Sequence, residues 1–215
     1  MNGPARAVIR QGCEALAEAD PALARAYECC GVPVWRTRQA SFETLARMIA
    51  YQQISTKAGA TIWGRVEALV GEMAPAPMLS QSDEALRATG LSRAKVSYVK
   101  AVAAAVDSRA LCFDRLGRAP RREALSELTA IKGIGPWSAE IFLMSTLGDL
   151  DAFPPGDVGL MESYRLLAGA PERPSAKAFG ALAAGWSPWR GVATHLLWAW
   201  VNAHRAAPAA PVDDT

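Results

Sequence analysis

The chain has 215 residues, 51% of them apolar and 20% charged, with a formal net charge of +2; that is ordinary globular usage and excludes a disordered or coiled-coil chain. Its length suits one compact domain, or two lobes sharing one core. No apolar run reaches the roughly 20 residues that span a bilayer, and Met1-Asn2-Gly3-Pro4-Ala5-Arg6 lacks the order of a signal peptide, so a cytoplasmic protein with no membrane partner is expected.

Ala, Leu, Glu and Arg are abundant and strand-like alternation is nearly absent, which predicts an all-α protein of nine or ten helices. Ser41 is placed to cap a helix through Phe42, Leu45, Met48 and Ile49, and Ser55 the next, through Ala58, Ile62, Val66 and Leu69; the two meet near Gln52-Gln53-Ile54. Met73 to Ser82, with Pro75 and Pro77, reads as a loop, and Asp83 to Thr89 as a short helix ended by Gly90. Ser92 opens a longer helix through Val96, Val99, Val102, Ala103 and Val106. After a polar stretch with Gly117 and Pro120, a helix is expected from Arg121 to Thr129. The turn Lys132-Gly133-Ile134-Gly135 leads into another beginning at Pro136, where the first helical position needs no N–H donor. Asp149 to Gly156 reads as a loop, helix resumes at Asp157, and two more helices fall near 176–184 and 188–204. The Ala/Pro/Asp-rich tail from Ala206 is expected to fray.

Charge is uneven along this path. Residues 85–132 hold 10 Lys/Arg against 4 Asp/Glu, a net +6, whereas the segments before and after are slightly acidic. That segment fits a polyanion partner such as nucleic acid and, on charge alone, fits solvated helix faces equally well. Cys13, Cys29, Cys30 and Cys112 form no C-x-x-C pair and lie near no histidine, so no zinc site or disulfide framework follows from their spacing. His195, one of only two histidines, sits in an apolar helical run, which suits a structural histidine better than a catalyst.

Two glycines one residue apart, between a helix ending in apolar residues and one opening at proline, make a tight turn free of Cβ obstruction. Amides at the second helix's N-terminus can then hold an anion such as a DNA phosphate, with Lys132 as a partner. Many helix–helix turns carry glycine for packing alone, so the turn gains meaning from its surroundings.

Those surroundings are Leu128-Thr129-Ala130-Ile131-Lys132-Gly133-Ile134-Gly135-Pro136-Trp137-Ser138-Ala139, Asp151-Ala152-Phe153-Pro154-Pro155-Gly156-Asp157, Gln52-Gln53-Ile54-Ser55, Gly90-Leu91-Ser92-Arg93-Ala94-Lys95 and Pro188-Trp189-Arg190. In these the chain resembles the helix-hairpin-helix (HhH-GPD) DNA glycosylase superfamily, and within it the AlkA-type DNA-3-methyladenine glycosylase II, in a short form without the additional N-terminal β-rich domain. The resemblance implies one all-α domain over 1–215 with a DNA-binding cleft between two lobes. One lobe is about 39–148, including the hairpin at 126–146; the other is about 1–38 plus 149–205, followed by a flexible tail at 206–215.

It also implies roles. Asp157 falls at the superfamily's catalytic aspartate, where an anion stabilises the positive charge that develops on the sugar and orients or deprotonates the attacking water; following Pro-Pro-Gly, it is also placed to cap a helix, and the two roles are compatible. Trp137 stands where bifunctional members place a lysine, and without that amine no Schiff base forms on the sugar. The expected enzyme is therefore monofunctional and leaves an abasic site. No iron–sulfur cysteine cluster follows Asp157, so no cofactor or metal is expected.

Trp137 and Trp198 match aromatic positions of a base pocket that selects cationic alkylated purines such as 3-methyladenine and 7-methylguanine by stacking and cation–π contact. Trp186, Trp189 and Trp200 are expected in the core. Ile141 and Val158 stand where a more aromatic pocket would be fuller. Gln53 is the candidate wedge filling the gap left by a flipped base, with a packing turn as the alternative. Ser92, Arg93 and Lys95 are candidate phosphate contacts. The implied partner is double-stranded DNA containing alkylated purines, bound by a monomer. The alternative is a non-enzymatic helix-hairpin-helix DNA-binding protein, to which Asp157, Trp137 and Trp198 would be superfluous.

Overall fold

The computed structural model describes residues 3–206, and every regular element among them is helical. There are thirteen α-helices: α1 Arg6–Ala19, α2 Pro21–Cys30, α3 Phe42–Tyr51, α4 Thr56–Val70, α5 Pro75–Ser80, α6 Asp83–Ala88, α7 Arg93–Asp107, α8 Phe113–Leu116, α9 Arg121–Thr129, α10 Pro136–Phe142, α11 Val158–Ala168, α12 Ala176–Leu182 and α13 Arg190–Ala206. None is long and apolar enough to cross a membrane. The serine signals hold: Ser41, Ser55 and Ser92 each accept a backbone N–H from the first turn of α3, α4 and α7.

The helix number exceeds the nine or ten expected because short helices occupy stretches that read as loop. Met73 to Ser82 is not a loop throughout, since Pro75–Ser80 forms α5. Its two prolines fall in the first turn, where backbone N–H groups have no intrahelical partner to lose, and Met78 is fully buried. Likewise α8 is a single turn inside the polar stretch before Pro120. The expected tail at 206–215 lies outside the described residues except for Ala206, which closes α13.

The chain divides into two compact units. The first is Arg38–Leu147. There α7 packs against α3 and α5 along the stripe Val96, Val99, Val102 and Ala103, all essentially inaccessible. The second combines the residues before Arg38 with those from Gly148 onward. Its core gathers Ile9, Leu16, Leu23, Phe153, Leu160, Phe179 and Trp186 around the face of α13 that carries Val192, Leu196, Leu197 and Val201.

Asp20 is the polar hub of that second core. Its carboxylate accepts from the amide of Ala22 at 2.8 Å, the Trp186 indole at 3.1 Å and the Tyr164 hydroxyl at 3.1 Å. Burial, and then the Asp20 charge, push the Tyr164 hydroxyl up to about 12, so it remains a donor at neutral pH.

Candidate functional site

The first unit carries Gln53, Ser92, Arg93, Lys95, Lys132, Gly133, Gly135 and Trp137; the second carries Asp157 and Trp198. In the hairpin, α9 ends at Thr129 and α10 starts at Pro136. The two glycines do different work. Gly133 has φ +95°, and a Cβ there would lie 2.3 Å from Cγ of Tyr98, so both the backbone and the ring require glycine. Tyr98 thus closes the Cβ side of Gly133, whereas the expected unobstructed approach concerns the amide side. At Gly135 nothing lies within 4 Å of where its Cβ would be, and it is exposed. Among the described residues neither glycine amide meets a backbone acceptor. Lys132 and Trp137 are exposed beside them, Trp137 at 43%.

Of the ten cations in 85–132, Lys100, Arg115 and Arg121 pair with Asp83, Glu127 and Glu140. Arg93 is exposed, as is Ser92, whose hydroxyl accepts the Lys95 amide at 3.3 Å. Lys95, a candidate phosphate contact, also serves the fold. Its Nζ donates to the carbonyl of Ala50 at 2.8 Å, and burial lowers its pKa. One of the last carbonyls of α3 has no intrahelical partner and draws the ammonium inward.

Gln53 is exposed with φ +58°, in the left-handed region that non-glycine residues seldom occupy. Ile54 beside it is 36% exposed. The turn between α3 and α4 that carries them is tight because Gly59 admits the Tyr51 ring, which a Cβ would approach to 2.6 Å.

In the second unit the loop before α11 is fixed at both ends. Asp151 accepts from Arg190 Nε at 2.8 Å and Nη2 at 2.6 Å, from the Arg190 amide at 3.3 Å and from Ser187 Oγ at 3.1 Å. Burial alone would raise the Asp151 carboxyl, but these bonds and the Arg190 charge outweigh it and hold the group below the usual carboxylate range. Gly191 lets the start of α13 close on the loop, since its Cβ would lie 2.8 Å from the carbonyl oxygens of Asp149 and Leu150. Asp157 then caps α11, Oδ1 accepting the Leu160 amide at 2.9 Å. A Cβ at position 159 would come within 3.1 Å of that same oxygen, so Gly159 keeps the carboxylate uncrowded. The cap reading of Asp157 therefore holds, and it leaves chemistry open, because capping fixes the carboxylate's direction.

Trp198 is half-buried and borders His195, with ring centroids 5.7 Å apart. His195 stacks on Trp35 at 4.1 Å and 13° and donates from Nδ1 to the carbonyl of Gly191 at 3.0 Å. Burial pulls the imidazole below its ordinary value, so it is a neutral, satisfied structural histidine. Trp186 and Trp200 are buried in the core, and Trp189 packs against it. Among the described residues no cluster of His, Cys, Asp or Glu could hold a metal ion.

Sequence reasoning missed the roles of Asp151 and Arg190, although both stand in the motifs quoted above, and it gave Gln52 none. The partners lie 39 and 81 or more residues apart, and no local pattern signals such pairing.

Comparisons with known proteins agree with this architecture. A protein of Mycobacterium tuberculosis named "Probable bifunctional transcriptional activator/DNA repair enzyme AlkA" is 32% identical over 168 residues, covering 73% of this chain and 32% of its own length. The chain thus spans about a third of that relative. DNA-3-methyladenine glycosylase 1 of Schizosaccharomyces pombe is 29% identical over 161 residues, covering 73% of this chain and 71% of its own. Among solved structures, a Bacillus halodurans DNA-3-methyladenine glycosidase superposes with TM-score 0.78 at 37% identity, over 89% of this chain and 88% of that one. A Schizosaccharomyces pombe 3-methyladenine DNA glycosylase in complex with abasic DNA gives TM-score 0.76 at 26% identity, over 87% and 95%. The model of the HhH-GPD superfamily base excision DNA repair proteins matches residues 46–188, and the chain belongs to that superfamily.

Proposed function

We propose that the protein is a monofunctional DNA N-glycosylase that flips alkylated purines out of duplex DNA and hydrolyses their glycosidic bond, leaving an abasic site. The observation that carries this reading is the setting of Asp157, a carboxylate aimed by its own helix at the end of a loop clamped through Asp151 and Arg190. A module that only binds DNA has no use for such a group. The names of the relatives, DNA-3-methyladenine glycosylases in yeast and bacteria, support the substrate class.

In this mechanism the amides of Gly133 and Gly135, with Lys132, Ser92 and Arg93, hold the DNA backbone. Gln53 fills the gap in the stack. Trp137 and Trp198 take the base; an alkylated purine is cationic, and an electron-rich indole favours it by up to about 2 kcal/mol when desolvated. Asp157 stabilises the positive sugar and directs water to it. Trp137 supplies no amine, so the sugar is never held covalently and the strand stays intact.

The test is release of free methylpurine from methylated duplex DNA by the wild-type chain and by Asp157→Asn. Asparagine caps a helix as well as aspartate does, so the variant keeps its fold while base release falls on the order of 100- to 1000-fold, as when one preorganised electrostatic group is lost. Undiminished release would remove Asp157 from the chemistry.

A further inference from the structure

The Gln52 side chain reaches from the α3–α4 turn to the hairpin. Its Nε2 donates to the Gly133 carbonyl at 3.3 Å and to Ser138 Oγ at 3.0 Å. A carbonyl can only accept, which fixes the orientation of the amide. Both protons of one group are thereby used on the hairpin, one on the turn itself and one on the first turn of α10, where Ser138 is buried at 5% exposure.

The same turn is held from two other sides. Lys95 binds the Ala50 carbonyl, and the Tyr51 ring rests on Gly59. Gln53, the next residue, is exposed in a left-handed conformation costing on the order of 1 kcal/mol, which persists only where its surroundings impose it. Gln52 is the neighbour that ties this backbone to the glycine whose carbonyl it holds.

We propose that Gln52 is a positioning residue that couples the phosphate-binding hairpin to the wedge, so that seating the DNA backbone at Gly133–Gly135 and inserting Gln53 into the stack occur as one step. The inference rests on the glycosylase reading above for its wedge. A paired base must be displaced and its gap filled, whereas a base in single-stranded DNA needs no wedge. Gln52 thus matters for paired substrates and little for unpaired ones.

The experiment compares release of 7-methylguanine from a duplex and from the same strand alone, for wild type, Gln52→Ala, Ser138→Ala and the double variant. Gln52→Ala is expected to slow release from the duplex about tenfold and from the single strand less than about twofold, since two neutral hydrogen bonds are at stake. Ser138→Ala should add nothing to it, because the shared bond is already gone. Equal losses on both substrates, or none on either, would overturn the coupling, as a general folding defect moves both. A second readout separates this inference from the glycosylase reading: 2-aminopurine beside the lesion brightens when the stack opens in a stoichiometric complex. If wild type opens the stack without releasing base, the enzyme reading fails alone; if Gln52→Ala brightens the probe as fully as wild type, the coupling fails.

Discussion

The unit Arg38–Leu147 and the unit on either side of it present function by different physical means. In the first, the side chains proposed to meet DNA stand on turns and first helical turns, shaped by glycine, serine caps and side-chain hydrogen bonds: Gly133 against Tyr98, Gly59 against Tyr51, Gln52 on the hairpin. In the second, Asp157 caps α11 and Trp198 packs against a core in which Phe153, Phe179 and Trp186 meet with ring centroids 5.2–5.8 Å apart. A backbone-binding surface gains from exposed amides, which only turns and helix ends supply. A carboxylate proposed for catalysis gains from a fixed direction, which a packed core and a half-buried ion pair supply. The two units should therefore respond differently to substitution.

The largest effect falls in the second core. Trp186→Ala removes a buried ring, together with its hydrogen bond to Asp20 and its edge contact with Phe153, and it is expected to cost about 3–5 kcal/mol in urea unfolding. A loss under about 1 kcal/mol, the range of ordinary surface changes, would mean that this core does not organise its unit.

A smaller contrast separates the two glycines of the hairpin. Gly133→Ala forces a Cβ into Tyr98 at a positive φ and should destabilise by about 2 kcal/mol, measured by thermal unfolding. Gly135→Ala meets nothing and should leave stability alone while weakening DNA binding. Equal stability losses at both positions would erase the distinction between inner and outer glycine.

The smallest effect is a pH dependence from His195. Its imidazole resists protonation when folded, so the unfolded chain binds the proton first as pH falls below about 6.5. The stability due to the buried neutral ring is complete above that value and declines below it. His195→Phe should flatten the slope seen in urea midpoints between pH 7 and 5; an unchanged slope would place the titration elsewhere.

Much of this was legible locally. Serine caps, proline at the first turn and the Gly-x-Gly hairpin follow from backbone chemistry within four residues, and they located α3, α4, α7 and α10 correctly. Asp157 was readable both as cap and as candidate catalyst. What was not legible depends on partners far along the chain. Lys95 also serves the Ala50 carbonyl, 45 residues away. The packing of Tyr98 against the Cβ side of Gly133 left no local signal either. Pro75 and Pro77 suggested a loop because their cost depends on register, which burial of Met78 decides.

The central claim, hydrolysis of the glycosidic bond without strand cleavage, is tested most directly by treating methylated duplex DNA with the purified protein and scoring strand breaks before and after alkali. Free methylpurine is expected, with breaks only after alkali, and Asp157→Asn should lose both. Breaks before alkali, or release undiminished in that variant, would contradict it.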